Sequence, residues 1–180
     1  VHYIVTQSIA LPDGVTLTLK PGTVLKFKEK TGLSMTENAH VIAHGKPDSM
    51  IVFTMADHSM GSMNSLYFYN KEDTLRYCLF DKLVYSTIRA YGVLEHSIFR
   101  DVNVNNTYLL MGGGNYSKAA KLKCSNIINA LSGSLSTFAS VTLDACNVIN
   151  NRGGNNSAGD YSAGLSAYNI RSGNSQQNNV

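Results

Sequence analysis

The sequence predicts an all-β solenoid, a chain wound into stacked coils of short strands. Two observations carry that prediction: strands that meet at stiff corners instead of hairpins, and columns of like residues that recur along the chain. A third agrees with them. In 180 residues there is no tryptophan and there are only 3 prolines, while 15 glycines and many Asn and Ser residues point away from a helical bundle.

The corner is clearest in "LPDGVTLTLKPGTVLKF", residues 11–27. Val15, Leu17 and Leu19 alternate with polar residues and stop at Pro21-Gly22; Val24, Leu25 and Phe27 begin a second run at once. A hairpin favours Asn-Gly or Asp-Gly at its joint. Proline fixes φ near −65° and glycine accepts positive φ, which suits a bend that redirects the chain without folding it back. Strand, bend and strand on a new face is how a β-solenoid turns. Residues 11–27 therefore read as the first coil, with Pro21-Gly22 as a corner and "VHYIVTQSIALPDG" as a strand and loop covering the open sheet edge.

The repeat follows. "LRYCLFDK" from Leu75, "LEHSIFRD" from Leu94, "LKCSNIIN" from Leu122 and "LDACNVIN" from Leu143 align on their leucines, with a weaker copy from Ile170. A second apolar column precedes the first: Leu66, Ile88, Leu110, Leu135 and Leu165. Three places after the anchor the residues are small (Cys78, Ser97, Ser125, Cys146, Gly173), as a tight bend requires. Five places after it stand Phe80, Phe99, Ile127 and Val148. Asn126, Asn147 and Asn174 form an asparagine column, able to bond amide to amide at a strand spacing of about 4.8 Å. One place after the anchor the charge alternates in sign: Arg76, Glu95, Lys123, Asp144, Arg171. Stacked side chains of opposite sign attract, and like ones repel. The column shared by Tyr77, His96, Cys124 and Ala145 is expected to point inward, with His96 as a buried imidazole. The last copy stops in the polar "RSGNSQQNNV", so residues 1–180 read as one β-helix domain that is a fragment of, or module within, a longer chain.

At "GVTLTLKPGTVLKF", "GLSM", "HVIAHG" and "MIVFT", residues 14–54, the chain resembles bacterial cell-surface right-handed parallel β-helix (pectate-lyase-like) proteins. Their phrase runs Gly-x-x-Leu-x-Ile-x-Pro-Gly-Thr-x-Ile-x-Phe, then Leu-x-Ala-x-Gly, then Ile-x-Phe-Thr. The later Leu-x-x-Cys/Ser-x-Phe/Ile-x-Asn copies match the looser repeats of that architecture. One departure is clear: a Trp-Gly pair frequent after Ile-x-Phe-Thr is replaced here by "NSLYFYN". The resemblance implies a right-handed parallel β-helix with an N-terminal cap and, at about 20–30 residues per repeat, roughly six to seven coils. It also implies an extracellular or cell-surface location.

Composition excludes some functions. Fifteen basic against 12 acidic residues give a net charge of +3. No Lys/Arg cluster stands out, so nucleic acid is not an expected partner. No apolar stretch reaches the roughly 18 residues of a membrane span. No basic-apolar-small leader opens the chain, so a signal peptide is expected to be absent from these residues. Three cysteines without a CxxC pair argue against a disulfide framework and against zinc. Cys78 and Cys146 share a column but stand three coils, or roughly 14 Å, apart, beyond the about 7 Å a disulfide spans. Free, buried thiols are expected.

Catalytic groups do not assemble in the sequence. Lyases and hydrolases of this architecture need clustered carboxylates. Glu95 and Asp144 share a column but stand about 10 Å apart with Lys123 between them, which reads as a charge ladder. Glu72 and Asp73 read as solvated turn residues. His40 and His44 share a strand face, but no third metal ligand follows at a convincing spacing. The glycine-rich "MGGGNY" lacks the Lys-Ser/Thr of a phosphate loop. That stretch and "NNRGGNNSAGDY" read as loops between coils, where binding residues gather on a rigid solenoid. Tyr116 and Tyr161, at their ends, are the candidate ligand-contact residues, since tyrosine can stack on a sugar ring. The expected function is a non-catalytic scaffold presenting loops for adhesion or glycan contact, with no cofactor or metal. Its expected partners are polysaccharide or other domains of the same protein. The alternative is a polysaccharide-acting lyase or glycoside hydrolase.

Overall fold

The structure is a computed structural model, and it describes residues 1–58, 65–70, 72–83, 88–102, 109–111, 120–128, 135–137, 141–149, 155–156, 159–160 and 165–167. The described residues are all β, with no helix. A first turn comprises β1 (His2–Val5), β2 (Ile9–Leu11) and β3 (Thr16–Leu19); a second, β4 (Val24–Phe27), β5 (Leu33–Met35) and β6 (His40–His44). A third comprises β7 (Ile51–Met55), β8 (Leu66–Phe68) and β9 (Thr74–Arg76); a fourth, β10 (Cys78–Asp81), β11 (Ile88–Ala90) and β12 (Val93–Glu95). The strands β13 (Ile98–Arg100), β14 (Leu109–Met111), β15 (Ala120–Lys123), β16 (Asn126–Ile128), β17 (Leu135–Thr137), β18 (Val141–Asp144) and β19 (Asn147–Ile149) follow. A small antiparallel pair, β20 (Asn155–Asn156) and β21 (Gly159–Asp160), precedes β22 (Leu165–Ala167).

Up to β19 each strand pairs in parallel with the strand three places on, and β17 then pairs with β22, which builds three sheets. The first runs β1-β4-β7-β10-β13-β16-β19, the second β2-β5-β8-β11-β14-β17-β22, and the third β3-β6-β9-β12-β15-β18. The chain is therefore a parallel β-solenoid, completing about four turns between β1 and β13.

Corner chemistry explains why the strands stop where they do. Between β3 and β4 the Thr23 N–H donates to the Lys20 carbonyl at 3.1 Å, with Pro21 second and Gly22 third at φ 74°. This is the proline-glycine geometry of a type II turn. The N-terminal segment covers the edges of β4 and β5, but as two regular strands of the sheets instead of a strand and a loop. Tyr3 pairs with Leu25 and is 54% exposed, because among the described residues no strand lies beyond β1.

Each of the four leucine-anchored segments is broken into two strands. Tyr77, His96, Cys124 and Ala145 adopt φ of 50°, 50°, 44° and 50°, and each separates a strand of the third sheet from one of the first. A left-handed residue interrupts the period-two alternation, so these side chains do not enter the core as expected. Cys124 and Ala145 are exposed; Tyr77 and His96 are half-buried, with their rings stacked 4.8 Å apart. The position normally suits glycine, and none of the four is glycine, so the sequence conceals the break.

The small residues that follow hold the corner together. The Ser97 hydroxyl donates to the Glu95 carbonyl (3.1 Å) and accepts the Cys78 N–H (3.2 Å). The Ser125 hydroxyl donates to the Lys123 carbonyl (2.7 Å) and accepts the Ser97 N–H (3.0 Å). Cys146 places its thiol 3.3 Å from the Asp144 carbonyl in the same manner. Smallness was the visible property; hydrogen bonding between turns is the working one.

The core is a set of stacked columns. Phe53, Phe80 and Phe99 are fully buried, with successive rings 4.9 and 4.6 Å apart and nearly parallel. Phe68 of the second sheet meets Phe53 edge-on at 6.0 Å. Burying each phenylalanine contributes about 2–3 kcal/mol. The leucine anchors pair as read, Leu75 with Leu94, Leu94 with Leu122 and Leu122 with Leu143. The second column runs Leu33, Leu66, Ile88, Leu109 and Leu135, so Leu109 and not Leu110 occupies it. Two adjacent leucines fit that column equally well on sequence alone. Asn126 and Asn147 are paired, amide to amide at 2.9 Å. Gly173, Asn174 and Arg171 lie outside the described residues.

Candidate functional site

The corners joining the second sheet to the third bring together side chains distant in sequence. Three of them comprise residues 36–39 between β5 and β6, 69–70 and 72–73 between β8 and β9, and 91–92 between β11 and β12. Asn70 shapes the second of these. Its Oδ1 accepts the Glu72 N–H at 2.9 Å, an Asx turn, while its Nδ2 donates to the Ala39 carbonyl at 3.3 Å. Asp73 is thereby turned inward. It is 7% exposed, and its carboxylate accepts the Val41 N–H at 2.8 Å and faces His40 Nδ1 at 3.0 Å. The expectation that Asp73 is a solvated turn residue is corrected: a backbone amide and an imidazole of the preceding turn draw it in. Glu72 is exposed.

His40 and His44 occupy the same outward face of β6, His44 exposed and His40 half-buried. A buried carboxylate on Nδ1 orients the His40 ring, as in many proton-handling pairs. Here the same carboxylate also ties β6 to the following turn through Val41. Among the described residues no group of three or more His, Cys, Asp or Glu could hold a metal ion.

Tyr67 on β8 and Arg89 on β11 are paired in register on the outer face of the second sheet, and Tyr69 and Tyr91 follow them in the adjoining corners, Tyr69 half-buried against the core and Tyr91 buried. They form a two-by-two block. Tyr67 stacks on Tyr69 (5.3 Å, 16°), Tyr69 stacks on Tyr91 (5.1 Å, 25°), and the Arg89 guanidinium lies over Tyr67 at 5.3 Å. Burial, then the neighbouring Tyr69, push the Tyr91 hydroxyl above its usual pKa, against the opposing pull of Arg89. Arg89 Nε is buried and has no hydrogen-bond partner. Tyr67 also lines an open groove of about 270 Å³ with Ser8, Gly32, Leu33, Ser34 and Ser65.

The remaining acids are placed by charge. Arg76 pairs with Glu95 and Glu95 with Lys123, which pairs in turn with Asp144, so the predicted alternation holds over its four described members. Asp81 and Arg100 form a second cross-turn pair at 2.8 Å that the sequence reading missed. The three cysteines are free thiols. Cys78 is buried, Cys146 half-buried and Cys124 exposed, the last against expectation because it occupies a left-handed corner.

The predicted contact residues Tyr116 and Tyr161 lie outside the described residues. The tyrosine-arginine block was not predicted, although a signal existed. Tyr67 and Tyr69 flank Phe68, and Arg89 and Tyr91 flank Ala90, at the same 22-residue step that separates Leu66 from Ile88. No family model matches the chain, and no curated protein or solved structure is significantly similar to it. Functional assignment therefore rests on the fold and on this corner. No helix among the described residues is long and apolar enough to cross a membrane.

Proposed function

We propose that this chain is a non-catalytic scaffold of a secreted or cell-surface protein of the bacterial right-handed β-helix type. It has roughly six to seven coils, and it contacts glycan through its outer faces and loops. The observation that carries the reading is the half-exposed Tyr67, stacked on Tyr69 and covered by Arg89, with the buried Tyr91 ring supporting Tyr69 from the next turn. Aromatic rings with a polar edge are suited to contact with sugars and to wet interfaces, and a stacked set on a rigid sheet presents them without further ordering. The engagement of Asp73, Asp81 and Glu95 with partners on neighbouring turns supports a structural use of these carboxylates. Loops carrying Tyr116 and Tyr161 are proposed as a second contact surface, and other domains of the same protein as further partners. The test is retention of the chain on a polysaccharide array, joined to an assay for new reducing or unsaturated ends. Retention without new ends is expected. Release of oligosaccharides would replace this reading with that of a lyase or hydrolase, and a blank array would remove glycan contact.

A further inference from the structure

We propose that the groove lined by Ser8, Gly32, Leu33, Ser34, Ser65 and Tyr67 is a subsite for a single neutral pyranose ring; this rests on the glycan-contact reading. The groove lies between successive turns and is lined by residues from three places in the chain, around β2, β5 and β8. Its volume of about 270 Å³ is at or below the low end of ligand pockets, about 300–1,000 Å³. That suits one ring better than an extended chain.

The lining has the chemistry of a sugar contact. Ser8, Ser34 and Ser65 supply hydroxyls, and a hydroxyl both donates and accepts, as the ligand's own hydroxyls do. Tyr67 supplies the apolar surface that the C–H face of a pyranose needs. None of the described lining residues is charged, so a uronate carboxylate would lose water there without gaining a cation. That selects a neutral sugar.

Tyr67 is also held in advance. Tyr69 stacks on it, and Arg89 lies over it with Nε buried and unpaired. A buried donor without an acceptor is costly and calls for an explanation beyond the fold. Fixing the groove's aromatic side chain before the ligand arrives supplies one, because a side chain already ordered loses little freedom on binding.

The test is a proton–nitrogen correlation titration of the chain with methyl glycosides of glucose, galactose and mannose, and separately with galacturonate. At least one neutral glycoside should bind in the millimolar range and shift the amides of Gly32, Ser34 and Ser65. Galacturonate should bind about tenfold more weakly, and Tyr67→Ala should weaken the neutral sugar by about tenfold. Ser34→Ala, at a half-exposed strand position, should keep the parent's unfolding midpoint and still lose affinity. The proposal is overturned if no neutral glycoside moves those amides, if galacturonate binds as well, or if both variants bind like the parent. Array retention that survives both substitutions would leave the scaffold reading standing and remove the groove from it. A blank array would remove the scaffold's glycan contact, while the titration still reports on the groove by itself.

Discussion

Arg76 and Glu95 stand on neighbouring strands of the third sheet with guanidinium and carboxylate 2.6 Å apart, and Lys123 approaches the other oxygen of Glu95 at 3.9 Å from the next strand. One carboxylate thus separates two cations along the solenoid. Glu95→Lys places three positive charges in succession. Pairs this exposed are individually weak, so two attractions lost and two repulsions gained should cost about 1–2 kcal/mol. The loss should shrink between 0.1 M and 1 M salt, where the Debye length falls from about 10 Å to about 3 Å. Adding Arg76→Glu to Glu95→Lys should recover part of the stability, because it restores one opposite-sign contact and leaves the pairing of Lys123 with Asp144 in place. Urea unfolding of the single and double variants at both salt concentrations measures this, and additive effects would show that the side chains do not meet.

The same carboxylate should shape the acid limb of stability. The Arg76 hydrogen bond, ahead of the charges of Arg76, Lys123 and His96, holds the Glu95 pKa below its ordinary 4.5. A lowered folded-state pKa contributes stability that is complete above the unfolded value and is lost as pH falls through the folded one. Glu95→Gln should therefore be less stable than the parent near neutral pH and should converge with it below that window. Unfolding midpoints followed from about pH 7 down to about pH 3 check this; a constant difference across the range would separate Glu95 from the acid response.

The parts of this molecule that were legible in sequence are those that depend on stacking like on like. Leucine anchors, alternating charges and paired asparagines survive as columns because each residue meets its equivalent on the next turn. The left-handed corners were not legible. Tyr77, His96, Cys124 and Ala145 share no residue type, and what fixes them is the serine and cysteine hydrogen bonding beside them. Asp73 was misplaced for a related reason: its partners, His40 and the Val41 amide, are more than thirty residues away. The tyrosine-arginine block was not legible because Tyr67 and Arg89 alternate with core positions on regular strands and Tyr69 and Tyr91 lie in the corners that follow.

Ser125 tests the corner ladder. It is fully buried, donates to the Lys123 carbonyl and accepts the Ser97 amide. Ser125→Ala strands that amide in the interior and should cost about 1–3 kcal/mol. Ser125→Cys should cost less, because a thiol fills the equivalent place at Cys78 and Cys146. Denaturant midpoints of the two variants give the comparison. Equal losses would mean that volume, not hydrogen bonding, selects the small residue.

The cysteines should separate by reactivity. Burial pushes the Cys78 thiol from its ordinary 9.0 up to about 12, and also raises Cys146. A small thiol reagent at about pH 8 should modify Cys124 first, Cys146 more slowly, and Cys78 only on unfolding, since the thiolate is the reactive form. A raised folded pKa gives stability that is complete below the unfolded value and is lost as pH rises through the folded one. Cys78→Ser should therefore lessen the alkaline loss of stability above 9.0. Rapid labelling of Cys78 in the folded chain would contradict its burial.

Gly92 is where the corner leaves no room for a side chain. A β-carbon there would lie 2.0 Å from the Asp73 carbonyl oxygen, which accepts the Val93 N–H at 2.9 Å. The obstacle is backbone, so it cannot swing aside as a flexible side chain would. Gly92→Ala should cost about 3 kcal/mol or more through displaced backbone, and it should carry Asp73 away from His40 and Val41. Gly14 is the control. It has φ of 76° but nothing within 4 Å of its added β-carbon, so Gly14→Ala should cost only about 1 kcal/mol of backbone strain. Urea unfolding ranks the two, and the His40 ring resonances report whether Asp73 has moved. If Gly92→Ala is as mild as Gly14→Ala, the close approach of the two turns at this corner is wrong.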